Sequence, residues 1–235
     1  LPENQLKIYV EFSVPMSKGE AYKRVRLKNA YGKEISLAFL EIEEELWDRE
    51  TRRLTLLLDP GRIKRGLVPH NEVGSPIVAG GVYTLEIDRE WQDAEGRPLV
   101  EGFMKEFRGV EADRVAPELA GWNLNVPDVG TRRPLVVAFG EPMDRALLER
   151  MLRVVDASGR NVDGSAEIRQ EEREWRFVPA ESWAAGTYNL RVNAALEDLA
   201  ANRMGRLLDG DRFDRVEKNL ESSTLERSFV ISTRQ

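Results

Sequence analysis

The sequence predicts an all-β protein made of two tandem Greek-key β-sandwiches, each with one short helix after its first strand. Three observations support this fold class: the sequence repeats itself once, its apolar residues alternate with polar ones, and turn signals separate the alternating segments at short intervals. A length of 235 residues is enough for two domains of ordinary size. We therefore expect two sandwiches of about 100 residues each.

Two blocks of sequence occur twice. Residues 8–17, IYVEFSVPMS, align with residues 135–144, LVVAFGEPMD, at an offset of 127 positions. Residues 81–93 align with residues 186–198 at an offset of 105 positions, and both begin with the pattern Gly-x-Tyr-x-Leu. A repeat of this length indicates a duplicated domain.

The repeat divides the chain into domains of residues 1–112 and 113–235. A linker lies within residues 109–134, where three prolines predict a semi-rigid connection. Residues 122–125, WNLN, are predicted to open the second sandwich, and their counterpart at the 127 offset would precede residue 1. We therefore expect the first sandwich to lack part of its first strand, and further chain to precede it in the native protein.

Strands are predicted where apolar residues alternate, because successive side chains of a strand point to opposite faces. The alternating apolar positions are Ile8, Val10 and Phe12; Leu54, Leu56 and Leu58; Tyr83, Leu85 and Ile87; Leu135, Val137 and Phe139; Trp175 and Phe177; and Tyr188, Leu190 and Val192. The two tyrosines of this set occupy equivalent places, where a phenol can pack inward and hydrogen-bond nearby backbone as in a tyrosine corner.

The short helices are predicted from their capping residues. Residues 17–20, SKGE, match a capping box, in which Ser17 would cap the helix and Glu20 would bond back to the cap. Asp144 offers an N-cap at the equivalent position of the second domain, ahead of residues 145–151, RALLERM.

Composition excludes several classes of function. The chain has no cysteine and one histidine, so thiol catalysis, disulfides and Cys-ligated zinc are excluded, and His-rich metal sites lack material. A formal net charge of -6 gives no electrostatic basis for binding nucleic acid or an anionic membrane. No apolar run approaches the roughly 18 residues that span a bilayer. We predict no cofactor and no transmembrane segment.

The repeated motifs resemble a known family. FSVPMS at residues 12–17, FGEPMD at residues 139–144, the Gly-x-Tyr-x-Leu strand and the turn at residues 198–202, DLAAN, are similar to motifs of bacterial Ig-like domains of the surface-layer-protein type. The resemblance covers most of both domains. In the first, the turn at residues 93–97, DAEGR, departs from the Asn-ending pattern.

This resemblance implies a seven-stranded Ig-like sandwich that is exported with a signal peptide in its precursor. Such domains are often strung in arrays outside the cytoplasm, where they serve in spacing, adhesion or as accessories to other domains. The implied location is periplasmic, cell-surface or secreted. The family has no shared catalytic residues, so the resemblance assigns none here.

The first domain has 14 extra residues between Pro60 and Gly81 when compared with the second domain. This insertion carries candidate interaction residues, namely Arg62, Lys64, Arg65 and His70. Its three cations could bind a phosphate or carboxylate, or could act only in solubility. A lone histidine cannot complete a triad or a His-based metal site, which favours a surface-loop role for His70.

The second domain has its own insertion of 17 residues around residues 206–223. It carries a candidate calcium site at Asp209, Asp211, Asp214 and Glu217, because closely spaced carboxylates suit a hard cation. The spacing does not match an EF-hand loop, and a solvated acidic loop is the alternative.

The tryptophans and one acidic run complete the candidates. Trp175 is in strand phase and is predicted to be core, whereas Trp47, Trp91, Trp122 and Trp183 lie nearer turns. There an indole could stack on a sugar or be buried between sheet and loop, and Trp183 is included among the candidate interaction residues. Glu41, Glu43 and Glu45 alternate, as on the charged face of a strand that is protected against edge pairing.

Three functions remain open at this stage. The first is a non-catalytic exported module that acts as a spacer, a display unit or a protein-interaction unit, with a protein or glycan partner at the cell surface or in the periplasm. The second is a carbohydrate-binding module that uses turn-proximal tryptophans. The third is a hydrolase that uses acidic residues, although no acid, base and nucleophile can be named together.

Overall fold

The computed structural model describes residues 1–64, 66–208 and 223–233. The chain divides into two compact units, Leu1–Asp113 (unit 1) and Arg114–Gln235 (unit 2). Both units consist mainly of strands in antiparallel sheets, with a few short helices, so the all-β part of the prediction is confirmed. Within the described ranges, no helix combines the length and hydrophobicity needed to cross a membrane.

Among the residues that the structure describes, unit 1 contains six strands in two sheets. Its elements are β1 (Lys7–Glu11), α1 (Ala21–Arg24), β2 (Val25–Asn29), β3 (Leu46–Trp47), β4 (Arg53–Leu57), α2 (Pro60–Ile63), α3 (Val68–Val73), β5 (Val82–Ile87) and β6 (Phe103–Arg108). One sheet has the order β1-β4-β3 and the other β2-β5-β6, with all neighbours antiparallel.

The described part of unit 2 contains seven strands, also in two sheets. Its elements are a single 3-10 turn (Leu119–Gly121), β7 (Asn123–Asn125), β8 (Leu135–Ala138), α4 (Arg145–Met151), β9 (Leu152–Asp156), β10 (Gly164–Arg169), β11 (Glu174–Pro179), β12 (Gly186–Asn193) and β13 (Thr224–Ile231). The sheets have the orders β7-β8-β11-β10 and β9-β12-β13. The predicted opening strand at residues 122–125 is confirmed as β7.

The strand order of unit 2 is that of an Ig-like sandwich. If its seven strands are lettered A to G along the chain, the sheets read A-B-E-D and C-F-G, which is the order of a constant-type Ig domain. Among the described strands, the sheets of unit 1 have the same order without a counterpart of strand A, which is β7 in unit 2. The topology of the sheets therefore supplies the Ig-like assignment.

Alternating side chains from the two sheets form the cores, as the predicted periodicity requires. In unit 2, Leu135, Val137, Trp175 and Leu190 are buried in one continuous cluster. In unit 1, Val10, Leu54, Leu56 and Leu85 are buried in a cluster that also contains Trp91, and a second cluster surrounds Leu27, Leu58 and Ile77.

One large core side chain changes place between the units. Leu54 lies opposite Val10 in unit 1, and Trp175 lies opposite Val137 at the equivalent position of unit 2. Trp91 of unit 1 aligns with Leu196 of unit 2 at the 105 offset. All four side chains are fully buried, so at this pair of positions each unit has one indole and one leucine, in exchanged places.

The two repeated motifs meet in each unit. Met16 of the first Pro-Met motif is buried and forms an antiparallel bridge with Asp93, and Met143 does the same with Asp198. The Asp93 carboxylate accepts hydrogen bonds from the backbone N–H groups of residues 95 and 97, and the Asp198 carboxylate from those of residues 200 and 202. In each unit, the Pro-Met motif that follows β1 or β8 therefore contacts the Asp turn that follows β5 or β12.

Each tyrosine of the predicted corners bonds to nearby backbone. The phenol of Tyr83 accepts a hydrogen bond from the Val78 N–H at 2.8 Å, and that of Tyr188 donates one to the Ala184 carbonyl at 3.2 Å. These contacts confirm the structural role predicted for both phenols.

The helix cap predicted from the sequence is confirmed in unit 2 but not in unit 1. The Asp144 carboxylate accepts a hydrogen bond from the Leu147 N–H at 3.0 Å and caps α4, as predicted. The capping box at residues 17–20 is wrong, because α1 begins only at Ala21 and the Ser17 hydroxyl donates to the Gln92 carbonyl instead. The Ala21 N–H is bonded by the Glu45 carboxylate at 2.7 Å.

Two further sequence predictions are corrected in unit 1. The expectation of one helix per domain is wrong there, because the insertion folds into α2 and α3. Asp59 caps α2 by accepting a hydrogen bond from the Gly61 N–H, and a proline lies in the first turn of each of these helices. Residues 41–45 do not form a strand, because Glu45 instead bonds Ala21 and the Trp47 indole.

Candidate functional site at the aromatic edge of unit 1

The candidate residue Arg62 makes internal hydrogen bonds that stabilise the helical insertion of unit 1. Arg62 is buried, and its guanidinium donates to the carbonyl oxygens of Gly74, Ser36 and Leu37 at 2.8, 2.8 and 3.0 Å. Burial lowers the pKa of Arg62. The prediction of Arg62 as an interaction-loop residue is therefore wrong: all three carbonyls are internal, and the side chain is not accessible to a ligand.

The other cations and the histidine of the insertion have less specific surroundings. Lys64 is half-buried just after α2, and Arg65 lies outside the described residues. His70 lies in α3 and not in a loop, with its Nδ1 atom 2.6 Å from the Arg62 carbonyl oxygen. The prediction that His70 lies in a surface loop is therefore corrected. Residues 68–73 form a helix instead, and Pro69 favours its first turn.

Trp183 is also buried. Its side chain is 2% exposed, and its Nε1 atom donates to the Arg133 carbonyl at 2.8 Å. Of the other four tryptophans, three are buried and Trp47 is half-buried against Phe12 and Trp91. The indole faces proposed for sugar stacking are therefore packed inside the units, and the prediction of Trp183 as an interaction residue is wrong.

The calcium candidate at Asp209, Asp211, Asp214 and Glu217 lies outside the described residues. The acidic run at residues 41–45 lies outside the strands, and one of its members is engaged with Ala21 and Trp47.

Unit 2 has two open hollows that are lined by charged residues. One, of about 440 Å³, lies between α4 and β10 and contains Arg145, Glu149, Glu167 and Arg169. The other, of about 570 Å³, lies beside the turn after β9 and contains Asp156. A hydrogen bond from the Ser158 hydroxyl, with others from the Ser158 and Arg160 amides, lowers the pKa of Asp156 from 3.8 to about 2. Such a carboxylate stays ionised, whereas a general acid needs a raised pKa.

A surface on which the two units differ lies beside β7 of unit 2, which has no counterpart among the described strands of unit 1. In unit 2, β7 pairs with β8 and the ring of Trp122 packs on Phe139 at a centroid distance of 4.7 Å. Arg227 of β13 donates to the carbonyl oxygens of Leu119, at 3.0 Å, and Trp122. The segment 119–125 therefore covers both β8 and the inner face of β13.

In unit 1, the described residues that correspond to this surface differ in their exposure. The sheet registers place Phe103 and Lys105 of β6 where unit 2 has Leu225 and Arg227. Phe103 is 53% exposed and Lys105 is also exposed. Phe12 is half-buried, whereas its equivalent Phe139 is buried. We call the surface formed by Phe12, Phe103 and Lys105 the aromatic edge of unit 1.

The aromatic edge was not among the sequence candidates. The alignment of residues 122–125 ahead of residue 1 was the signal for it, because it predicted a missing first strand. What the sequence did not show is that β6 would present a large apolar side chain at the same place.

No protein-family model matches the chain, and no curated protein matches it. Among solved structures, the chain is similar to a chimeric titin Z1Z2 functionalised with a KLER peptide from decorin, with 13% identity over 80% of this chain and 82% of that chain and a TM-score of 0.27. It is also similar to titin domains Z1Z2 in complex with telethonin, with 16% identity over 80% and 81% and a TM-score of 0.21.

A third solved structure, the mouse coronavirus receptor-binding domain complexed with its murine receptor, has 10% identity over 80% of this chain and 85% of that chain, with a TM-score of 0.19. At these TM-scores the similarities carry no argument. The Ig-like fold of this chain follows from its own sheet order and strand registers.

Proposed function

We propose that the chain is a non-catalytic, exported tandem module of two Ig-like Greek-key sandwiches. It serves as a spacer, display or protein-interaction unit of a larger bacterial envelope or secreted protein. The observation that carries this proposal is the repetition in unit 1 of the strand order of unit 2, including the buried Met and the Asp turn that it contacts. The motif resemblance to surface-layer-type Ig-like domains supplies the location outside the cytoplasm.

The fate of the candidate side chains also favours a structural module. Arg62 and Trp183, the residues best suited to hold a ligand, are engaged with backbone carbonyls inside their units. The aromatic edge of unit 1, where Phe103 is 53% exposed, is the described surface that favours protein interaction over spacing alone. Exposed apolar side chains of this kind can contact a protein without any catalytic group.

Cell fractionation of the bacterium that encodes the chain tests this proposal. An antibody raised against the purified chain should detect it in the periplasm, on the cell surface or in the medium. A cytoplasmic marker protein serves as the control for leakage. Detection of the chain only with that cytoplasmic marker would contradict the proposal.

A second experiment separates spacing from interaction. Both units are replaced in the parent protein by an unrelated tandem Ig pair of equal length. A pure spacer should leave the activity of the parent protein intact, whereas an interaction unit should lose its partner while the parent protein remains folded.

A further inference from the structure

The hollow between α4 and β10 of unit 2 has an apolar floor. Ala166 and Ile168 of β10 line it, and Ile168 is paired with Trp175 of β11, which lines it as well. Residues directly opposite each other in an antiparallel pair point to the same face of the sheet, as do residues two positions apart on one strand. These three side chains therefore share one surface. The volume of about 440 Å³ lies within the range of small-molecule sites.

One polar atom of this floor lacks a hydrogen-bond partner. Trp175 is 1% exposed, and its Nε1 atom is buried without an acceptor among the residues that the structure describes. A buried donor that is left unpaired is costly, and a ligand that brings an acceptor removes this cost. The hollow therefore combines apolar surface with an unmet requirement for one hydrogen-bond acceptor.

Unit 1 shows how the equivalent space can be filled. Leu54 stands at the position of Trp175, so the strand registers place its partner Trp47 where unit 2 has Ile168. The indole of Trp47 donates to the Glu45 carboxylate at 2.7 Å. An aromatic ring and an acceptor thus occupy this region of unit 1, whereas Ile168 is smaller and brings no polar atom. Unit 2 has room for a ligand that supplies the same two parts.

The charged residues at the rim of the hollow do not select a ligand by its charge. They are two cations and two anions, namely Arg145, Glu149, Glu167 and Arg169. Arg169 is paired with Glu167 at 2.6 Å, and Arg145 is paired with Glu172 at 3.3 Å. A neutral ligand can enter without separating these pairs, because it offers neither sign of charge a new counterion.

We propose that unit 2 binds a small, neutral aromatic molecule in the hollow between α4 and β10. The ring of this molecule lies on Ala166 and Ile168, and its carbonyl oxygen accepts the indole N–H of Trp175. Because Nε1 is shielded in the free chain, the neighbouring side chains shift to admit the oxygen, as interface side chains commonly do on binding. Such a site goes beyond the proposed function, since spacing, display and protein interaction do not require it.

The first test uses benzamide as the probe, titrated into the full chain labelled with ¹⁵N and followed by two-dimensional NMR. The indole resonance of Trp175, identified by its loss in Trp175→Phe, should shift saturably, with a Kd in about the millimolar range expected of so small a molecule. Shifts confined to unit 1, or no saturable shift at the Trp175 indole, would overturn the inference.

Benzylammonium is the matched probe, because it has the same ring without a hydrogen-bond acceptor. It should bind at least about fivefold more weakly than benzamide, since one net hydrogen bond is lost. Equal affinity of the two probes would overturn the assignment of Trp175 as a donor to the ligand.

Two variants at exposed positions of β10 locate the binding surface. Ala166→Trp should abolish benzamide binding, because the added ring fills the hollow that Ala166 lines. Ser165→Trp is the matched control: Ser165 is the exposed neighbour of Ala166, points to the opposite face and does not line the hollow. Equal loss of binding in both variants, or unchanged binding in Ala166→Trp, would contradict the inference.

A second pair of variants tests the hydrogen bond itself. Trp175→Phe keeps an aromatic ring but removes the donor, and should weaken benzamide binding about fivefold, measured from the backbone amides of β10. Trp91→Phe is the control, because the Nε1 atom of Trp91 is also buried without a described partner but belongs to the core of unit 1. Unchanged affinity in Trp175→Phe, or equal weakening by Trp91→Phe, would refute the proposed contact.

Discussion

The carboxylate of Glu45 accepts a hydrogen bond from the backbone N–H of Ala21 at 2.7 Å, across 24 positions of the chain. Its second oxygen accepts the indole N–H of Trp47, also at 2.7 Å. One side chain thus satisfies the first free amide of α1 and the polar atom of a core-lining ring. It performs the role for which the sequence suggested Ser17.

Glu45→Ala should therefore destabilise the chain by about 1–2 kcal/mol, because it removes a helix cap and the acceptor of an indole N–H. Urea denaturation followed by tryptophan fluorescence measures this loss. Glu44→Ala is the control, because this neighbouring carboxylate is exposed. An equal effect of both changes would indicate that only net charge matters.

The two corner tyrosines should differ in their contribution to stability. Tyr83→Phe should cost about 1 kcal/mol, because the buried phenol accepts from the Val78 amide at 2.8 Å. Tyr188→Phe should cost less, because its longer bond to Ala184 is exposed and water can replace it. Thermal unfolding of the two variants compares them directly, and a larger loss for Tyr188→Phe would refute this reasoning.

Arg62→Met should destabilise unit 1 by about 2–3 kcal/mol, since three carbonyl oxygens lose a charged donor. Lys64→Met, two positions away, removes the same charge from a half-buried side chain and should have little effect. Denaturant unfolding measures both variants. A selective loss of anion binding in Arg62→Met, without loss of stability, would restore the interaction role that the structure argues against.

The turn after β9 predicts a specific response to acid. The pKa of Asp156 is lowered from 3.8 to about 2 in the folded chain, so its ionised form contributes stability above 3.8 that is lost as the pH falls toward about 2. Asn29 stands at the equivalent place in unit 1 and accepts the same two amide bonds without a charge.

Asp156→Asn should therefore be less stable than the wild type at neutral pH, with the difference disappearing as the pH falls to about 2. Ser158→Ala, which removes the hydroxyl donor, should reduce the same difference. Unfolding free energies measured across this pH range check the prediction. A difference that is independent of pH would show that the charge is not responsible.

The burial of the tryptophans predicts a weak response to quenchers and sugars. Acrylamide should quench the tryptophan fluorescence of the folded chain far less than that of the chain in urea. A glycan array should show no binding that Trp183→Phe abolishes, because this indole is 2% exposed. Binding that depended on Trp183 in a variant of unchanged stability would favour the carbohydrate hypothesis.

Periodicity predicted the sheets well, because one buried face per strand imposes an alternation that is visible in Ile8, Val10 and Leu54. The cap at Asp144 was equally predictable, since its partner is three residues away. The predictions that were wrong concern side chains whose partners are distant in the sequence. Glu45 bonds to Ala21 and Arg62 to Ser36 across distances that no local pattern reveals, so a cation that looked free to bind a ligand is consumed internally.

The exchanged positions of indole and leucine in the two cores disfavour misassembly of the two units during folding. Tandem domains of related sequence are prone to misassembly, in which a segment of one inserts into the other. If the strand that contains Trp175 took the place of β4 in unit 1, its indole would stand where Leu54 does, in the core cluster that already contains Trp91. The reverse error would leave two leucines and a void beside them. Overpacking and empty space are both costly in a dense interior, so the mismatch penalises incorrect pairings while leaving the correct ones unaffected.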